Sequence, residues 1–176
     1  MNYESRRSGV LKATSLITAA TKTLDIYCEE VDDPGTLGAM VAAVKRGVKV
    51  RFIAAVLSGQ GQVNGNARGI TYLQTGGVSA VCKSFLYIHA KMVLADYGTA
   101  NPQAFIGSEN FSCVSLDDNR ECGILVTESP ILDRLQATYV SDWAKPSVTV
   151  TPDNTPIQPC QGDPSGRAQA RRTTRA

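Results

Sequence analysis

The 176-residue sequence predicts an α/β domain with a mixed β-sheet sandwiched between helices. Strand-like and helix-like segments alternate up to about residue 82, the pattern of parallel strands joined by crossover helices. Three strand-like segments then follow one another between residues 87 and 127, as antiparallel neighbours do. An amphipathic segment over residues 129–143 closes the domain. These limits place the domain at residues 9–145, with disordered ends over 1–8 and 146–176.

Each element has its own local cause. From Val10 to Thr21, Leu11, Leu16, Ile17 and Ala20 make a helical stripe. Thr23 to Glu29 reads as a strand. The acidic run Glu29, Glu30, Asp32 and Asp33, with Pro34-Gly35 as a breaker, reads as a solvated strand-to-helix loop. A second helix is expected from about Thr36 to Arg46, with Leu37, Met40, Val41 and Val44 on one side. Lys45 and Arg46 suit its negative C-terminal end, and Gly47 suits the position beyond it. Val48 to Val56 is the next strand. Ser58 to Asn66, rich in Gly and Gln, reads as a mobile loop, and no Gly-Lys-Ser/Thr follows to make it a P-loop. A short helix over Ala67 to Gln74, stopped by Gly76-Gly77, leads to a strand over Val78 to Cys82. In the last helix Ser129 is the expected N-cap and Pro130 the first helical residue, with Ile131, Leu135, Tyr139 and Trp143 facing inward. From Pro146 the chain turns to Pro, Thr and Gln and ends RAQARRTTRA, which predicts a flexible tail.

Composition narrows the function classes. A 43% hydrophobic content belongs to a globular chain, not a disordered one. Residues 146–176 hold four Arg and two Asp, so residues 1–145 carry 14 basic and 14 acidic groups and are neutral. That balance excludes the strong basic footprint of a dedicated nucleic-acid binder, though a local basic groove fits it. No apolar run reaches the ~20 residues a membrane-spanning helix needs. The start MNYESRRSG has no adjacent apolar region of a secretory signal, so a cytoplasmic location is expected. Cys28, Cys82, Cys113, Cys122 and Cys160 are odd in number and form no Cys-x-x-Cys pair, and His89 is the only histidine. Zinc-ligand spacing is therefore absent, and reduced, mostly buried thiols are expected.

The polar residues that stand out fall between Leu86 and Glu121. In YIHAKMVLAD, apolar positions alternate, so the run reads as a buried strand. His89 and Lys91 lie two apart and would share a face. Asp96 ends that strand before a turn marked by Gly98 and Asn101-Pro102. In the partner strand AFIGSEN, Ser108 and Asn110 share a face, and Gly107 leaves room for close approach. A loop over 115–119 follows, and Glu121 opens a third run, ECGILVT. Lys91 supplies charge, and Ser108 and Asn110 supply neutral donors, a set suited to phosphate or another oxyanion. His89 can attack or move a proton near neutral pH, and Glu121 can hold an imidazole in one tautomer. Ser and Asn near a turn are commonplace, but a lysine inside an apolar strand needs a partner.

These residues resemble a known signature. His89-Ala-Lys91, four residues, Asp96, then Gly107-Ser108-Glu109-Asn110, is similar to the H-x-K-x4-D and G-S-x-N pattern of the phospholipase D superfamily. Asn119-Arg120-Glu121 resembles that family's downstream acidic position. Ten residues separate Asp96 from Gly107, more than the pattern usually has, which reads as a longer hairpin tip. The resemblance extends, more weakly, over about residues 8–145 and implies the same sheet-between-helices architecture.

The resemblance also implies roles. His89 would be the nucleophile that forms a phosphohistidine. Lys91, Ser108 and Asn110 would bind the substrate phosphate, Glu121 would orient a histidine, and Asp96 would be structural. A second histidine is needed as general acid and base, and this chain has one. A two-fold homodimer would supply it, or the chain would be half of a longer two-motif protein, whose second half the ENFS, SLDDNRE and SDWA segments resemble. No cofactor or metal is implied. The leading expectation is a phospholipase D-type hydrolase cleaving phospholipid, with peripheral membrane contact. The alternatives are an endonuclease-like phosphodiesterase acting on nucleic acid and a phosphate-binding half-domain.

Overall fold

Strand pairing follows the alternation of the sequence. The computed structural model describes residues 8–56 and 66–160. In order these form α1 (Ser8–Ala19), β1 (Thr23–Cys28), α2 (Pro34–Lys45), β2 (Lys49–Ala55), α3 (Ala67–Thr75), β3 (Ser79–Lys83), β4 (Met92–Ala95), β5 (Gln103–Gly107), α4 (Cys113–Asp117), β6 (Gly123–Val126) and α5 (Ser129–Trp143). The sheet order is β3-β2-β1-β4-β5-β6. β1, β2 and β3 run parallel, while β4, β5 and β6 join antiparallel. The mixed sheet between helices is thus the architecture the sequence predicts.

Each face of the sheet has its own cover. α1, α2 and α3 place Ile17, Leu37, Met40, Ile70 and Leu73 against Ile26, Phe52 and Val93. α5 places Leu132 and Tyr139 against Tyr27, Ile53 and Leu94 on the other face. Each such side chain fully buried is worth about 1.5–3 kcal/mol, so the two apolar layers fix the sheet and, with it, the strand ends.

Several element ends differ from the sequence reading. Pro34 does not break the chain before α2; it sits in the first turn, and Asp33 caps the helix by accepting the Thr36 amide at 2.6 Å. At α5 the cap position is Glu128, one residue earlier than expected. The inward stripe is Leu132, Leu135, Tyr139 and Trp143, while Ile131 is 46% exposed. A strict spacing of four drifts about 40° per step around a 3.6-residue helix, so it cannot mark one face over three turns. α4 falls partly on residues expected to be loop; Ser112 caps it by accepting the Ser115 amide.

The largest correction concerns residues 146–160, expected to be a flexible tail. They run as a strap over the body. The Val148 amide donates to Cys82 O at 2.9 Å, which covers the edge of β3. Val150 and Ile157 pack on the core, and the Asp153 amide donates to Thr71 Oγ1. The buried Lys83 ammonium donates to Trp143 O, Lys145 O and Ser147 Oγ, fastening the start of the strap to the end of α5. A Cys113–Cys160 disulfide clips the far end to α4. The expectation of five reduced thiols is corrected accordingly: Cys113 and Cys160 are joined, and Cys28, Cys82 and Cys122 remain thiols. Residues 1–7, 57–65 and 161–176 lie outside the described part, with most of the expected mobile loop and the basic end of the tail. Among the described residues, no helix is long and apolar enough to cross a membrane.

Candidate active site

The strand ends bring the polar residues together. Tyr27 pairs with Met92, Met92 with Ile106, and Ile106 with Ile124, forming the last common row at one end of the sheet. Immediately beyond it lie Glu29, Lys91, Ser108, Asn110 and Glu121. Because β4 is antiparallel to β1 and β5, the start of β4 meets the ends of its neighbours there. The sequence reading placed His89 and Lys91 within the strand, but β4 begins at Met92. His89 and Lys91 lie on the segment leading into it.

Glu29 is the centre of this cluster. Its Oε2 accepts from Lys91 Nζ at 2.8 Å and Asn110 Nδ2 at 3.2 Å, and His89 Nε2 lies 3.2 Å away. Its Oε1 accepts from Tyr87 Oη at 2.5 Å. Burial would raise the Glu29 pKa, but the bonds from Lys91, Tyr87 and Asn110 outweigh it and bring it down to about 2. The Tyr87 hydroxyl is pushed up to about 12, chiefly because it donates to Glu29. The Lys91 side chain is 6% exposed and that of His89 73%, so the cation is set into the site floor and the imidazole stands open at its mouth.

The backbone under Glu29 is held independently. The buried Asn66 side chain donates to Glu29 O at 2.7 Å and Ala55 O at 3.0 Å, and accepts the Val31 amide. This residue, read from the sequence as the end of a mobile loop, is a fixed clasp at the start of α3. Phe111 bridges Val31 in parallel, and the Phe111 amide donates to Glu30 O. That pairing sets Asn110 opposite Glu29. Asn110 Oδ1 accepts the Glu30 amide at 3.3 Å, which turns its Nδ2 toward Glu29.

Ser108 and Glu121 form a second, adjoining pair. Ser108 Oγ donates to Glu121 Oε2 at 2.5 Å and accepts the Cys122 amide. Ser115 Oγ donates to Glu121 Oε1 at 2.6 Å and accepts the Asn110 amide at 2.9 Å. Burial would raise the Glu121 pKa, but Ser108 and Ser115 hold it below its usual value, with a smaller contribution from the Lys91 charge. Within one chain, Glu121 therefore bonds two serines, and the carboxylate beside His89 is Glu29.

Asp96 lies elsewhere. It stands at the opposite end of β4, five residues and about 17 Å from Lys91 along the strand. Its carboxylate accepts the amides of Thr21, Lys22 and Thr23, the last at 3.2 Å, and closes the turn before β1. Glu109 also points away from the site's donors. It is buried, its carboxyl lies where a side chain at Gly107 would fall, and burial raises its pKa.

Sequence reasoning missed Glu29, Tyr87, Ser115 and Asn66. The acidic run after β1 was visible, but its composition favoured a solvated strand-to-helix loop over a site. Only the register of β1 against β4 turns Glu29 toward Lys91.

The sequence matches the family model for the cardiolipin synthase, PLD-like domain over residues 13–143. The chain belongs to the phospholipase D-like family. No curated protein sequence matches it. Among solved structures it is similar to Nuc of Salmonella typhimurium, a phospholipase D family member, with TM-score 0.68 at 21% identity, covering 82% of this chain and 91% of that one. NucT of Helicobacter pylori superposes with TM-score 0.65 at 16% identity, over 80% and 90% of the two chains. Phosphatidylserine synthase of Haemophilus influenzae gives 0.53 at 16% identity, over 82% of this chain but 37% of its own. These likenesses share the fold, and the family places the chain among phospholipase D-like phosphodiesterases.

Proposed function

We propose that the chain is a phospholipase D-type phosphodiester hydrolase acting through a phosphohistidine at His89. One observation carries this reading: Lys91 Nζ, Asn110 Nδ2 and His89 Nε2 all lie within 3.2 Å of a single carboxylate oxygen, Glu29 Oε2. A cation, a neutral donor and an imidazole aimed at one oxygen are what a phosphoryl group requires. In the reaction His89 Nε2 attacks phosphorus and the bond to the leaving oxygen breaks. The protonated second histidine gives that oxygen its proton. The same imidazole then takes a proton from water, the hydroxide attacks phosphorus, and the P–N bond breaks. Lys91 and Asn110 stabilise the phosphoryl oxygens throughout, with Ser108 bonding nearby, and no metal or cofactor takes part in these steps.

One chain supplies one of the two histidines. A two-fold dimer bringing in the partner subunit's His89 completes the set, and the openness of His89 supports it. The substrate we favour is a phospholipid. Phe85, Leu86 and Tyr87 are 45%, 59% and 57% exposed and form an apolar lip directly before His89, suited to acyl chains or a membrane surface. Nucleic acid is the second reading, because Phe85 and Tyr87 could equally stack bases, as aromatic side chains do in single-strand binders. The disulfide favours an oxidising compartment over the cytoplasm.

The test is turnover of a chromogenic phosphodiester in EDTA, beside His89→Ala. Activity in EDTA that falls at least about 1,000-fold in the variant supports the mechanism. A metal requirement, or survival of the variant, overturns it. Phosphatidylcholine vesicles and single-stranded DNA then separate the two substrates, with salt-sensitive cleavage marking the second.

A further inference from the structure

Glu29 stands where the substrate should. Lys91, Asn110 and His89 all address its Oε2, and a phosphoryl oxygen held by the same groups would have to occupy that point. A carboxylate and a phosphodiester are both anionic, and they cannot share one seat a hydrogen bond from Lys91.

The seat is built, not accidental. The Glu29 carbonyl is clasped by the buried Asn66, and the Glu30 amide by Asn110 Oδ1. Among the described residues, the partners of the carboxylate are all side chains: Lys91, Asn110, Tyr87 and His89. Its backbone is therefore fixed by groups other than those that hold its carboxylate. Seating it also solves a problem of the empty site. Lys91 has a 6% exposed side chain, and its one other bond is to the carbonyl of His89. Without Glu29, that buried ammonium would lose the one carboxylate hydrogen-bonded to it among the described residues.

We propose, on the basis of the phosphodiesterase reading above, that Glu29 is a specificity-determining residue whose carboxylate occupies the phosphate seat in the free protein and is displaced by the substrate phosphoryl group. The displaced carboxylate turns out toward the exposed Tyr87 side of the mouth. Displacement is by competition. Glu29 keeps its charge down to about pH 2, so protonation does not open the seat in the working range of a histidine enzyme. A ligand must then bring contacts beyond the seat itself. A phosphodiester does so through the two groups esterified to its phosphorus, while inorganic phosphate has only the contested seat. Glu29 thereby holds Lys91 and Asn110 in position between turnovers and discriminates against free phosphate, including inorganic phosphate in the medium.

Isothermal titration of inorganic phosphate tests this on the full chain. Glu29→Gln keeps the shape but leaves a neutral amide as competitor, and phosphate should bind at least tenfold tighter than to wild type. Glu29→Asp keeps the charge but retracts it by one methylene, and should tighten binding by a smaller factor. Lys91→Met should abolish binding in either background. In steady-state assays, phosphate should become a correspondingly stronger competitive inhibitor of Glu29→Gln. Unchanged or weaker phosphate affinity in folded Glu29→Gln, with Lys91-dependent binding in wild type, overturns the proposal alone. It would make Glu29 a fixed partner of the reacting groups. Absence of Lys91-dependent binding in every variant overturns both the proposal and the phosphodiesterase reading beneath it.

Discussion

Asp96 closes one end of β4, and Glu29 lies beside the other. Both are carboxylates with several donors, and both are held below their ordinary pKa by hydrogen bonds that outweigh the opposing effect of burial. Their donors differ in kind. Asp96 accepts from the backbone amides of Thr21, Lys22 and Thr23 and from the Thr21 hydroxyl, so its donors are mostly main chain and all from one turn. Glu29 accepts from Lys91, Asn110 and Tyr87, side chains that could serve another anion instead. A carboxylate satisfied by main chain is a fastener. One satisfied by cationic and amide side chains, beside an open imidazole, stands in for a ligand. The strand thus carries scaffold at one end and chemistry at the other, although all its polar residues belong to one sequence motif.

The strongest way to break this contrast is Lys91→Met. Loss of a donor to the reacting phosphoryl group should cut turnover by about 100- to 1,000-fold. The single variant also leaves the Glu29 carboxylate, 12% exposed, without its cation, at a cost of about 3 kcal/mol. Adding Glu29→Gln should restore the lost stability, read by chemical denaturation, and leave turnover as low as in the single variant. If the double variant stays as unstable as the single one, Lys91 is a fastener like Asp96, and the distinction fails.

The strap offers a second test, because it ties the chemical end to the rest of the body. Its disulfide closes a separation of 47 residues, worth up to about 4 kcal/mol by loop-closure entropy. α4, at the other side of that bond, carries Ser115, which touches both Asn110 and Glu121. Reductant should lower the melting temperature of wild type and do nothing further to Cys160→Ser. Equal melting temperatures with and without reductant would mean the strap is held by its packing alone.

Asp96→Ala should sit below these in size. It removes the acceptor of three backbone amides and places alanine at a φ of 54°, where a short polar side chain is better tolerated. A loss of about 2–3 kcal/mol is expected, with turnover per folded molecule unchanged. Asp96→Asn should lose less. A fall in turnover that outruns the fall in folded fraction would bring Asp96 into the chemistry.

The same contrast explains what could be read from the sequence. The sheet was legible because its strands and crossover helices obey period 2 and period 3.6, and because Gly47 and Gly76-Gly77 mark real helix ends. His89, Lys91, Ser108, Asn110 and Glu121 were legible because their spacing is carried by one hairpin and the run after it. Glu29 was not, since its meaning depends on the pairing of Tyr27 with Met92, residues 65 apart in sequence. The strap was hidden for another reason. Pro and Thr dominate its composition, and the packing of Val150 and Ile157, with one disulfide, orders it without any periodic signal.

Acid provides the gentlest probe, and it reaches both carboxylates at once. A carboxylate whose pKa is depressed by folding contributes stability that is complete above its unfolded value and is lost as pH falls through the folded value. For Glu29 that window runs from 4.5 down to about 2, and Asp96 acts in the same direction from its own ordinary value of 3.8. Denaturation midpoints should therefore hold steady above pH 5 and decline below it. Glu29→Gln should make the decline shallower, since one of the carboxylates that folding depresses is gone, while Asp96→Asn should do the same at the other end of β4. An unchanged slope in Glu29→Gln would mean that its side-chain donors do not hold the carboxylate in solution. The seat would then stand open in the free protein, and the carboxylate would be no barrier to phosphate.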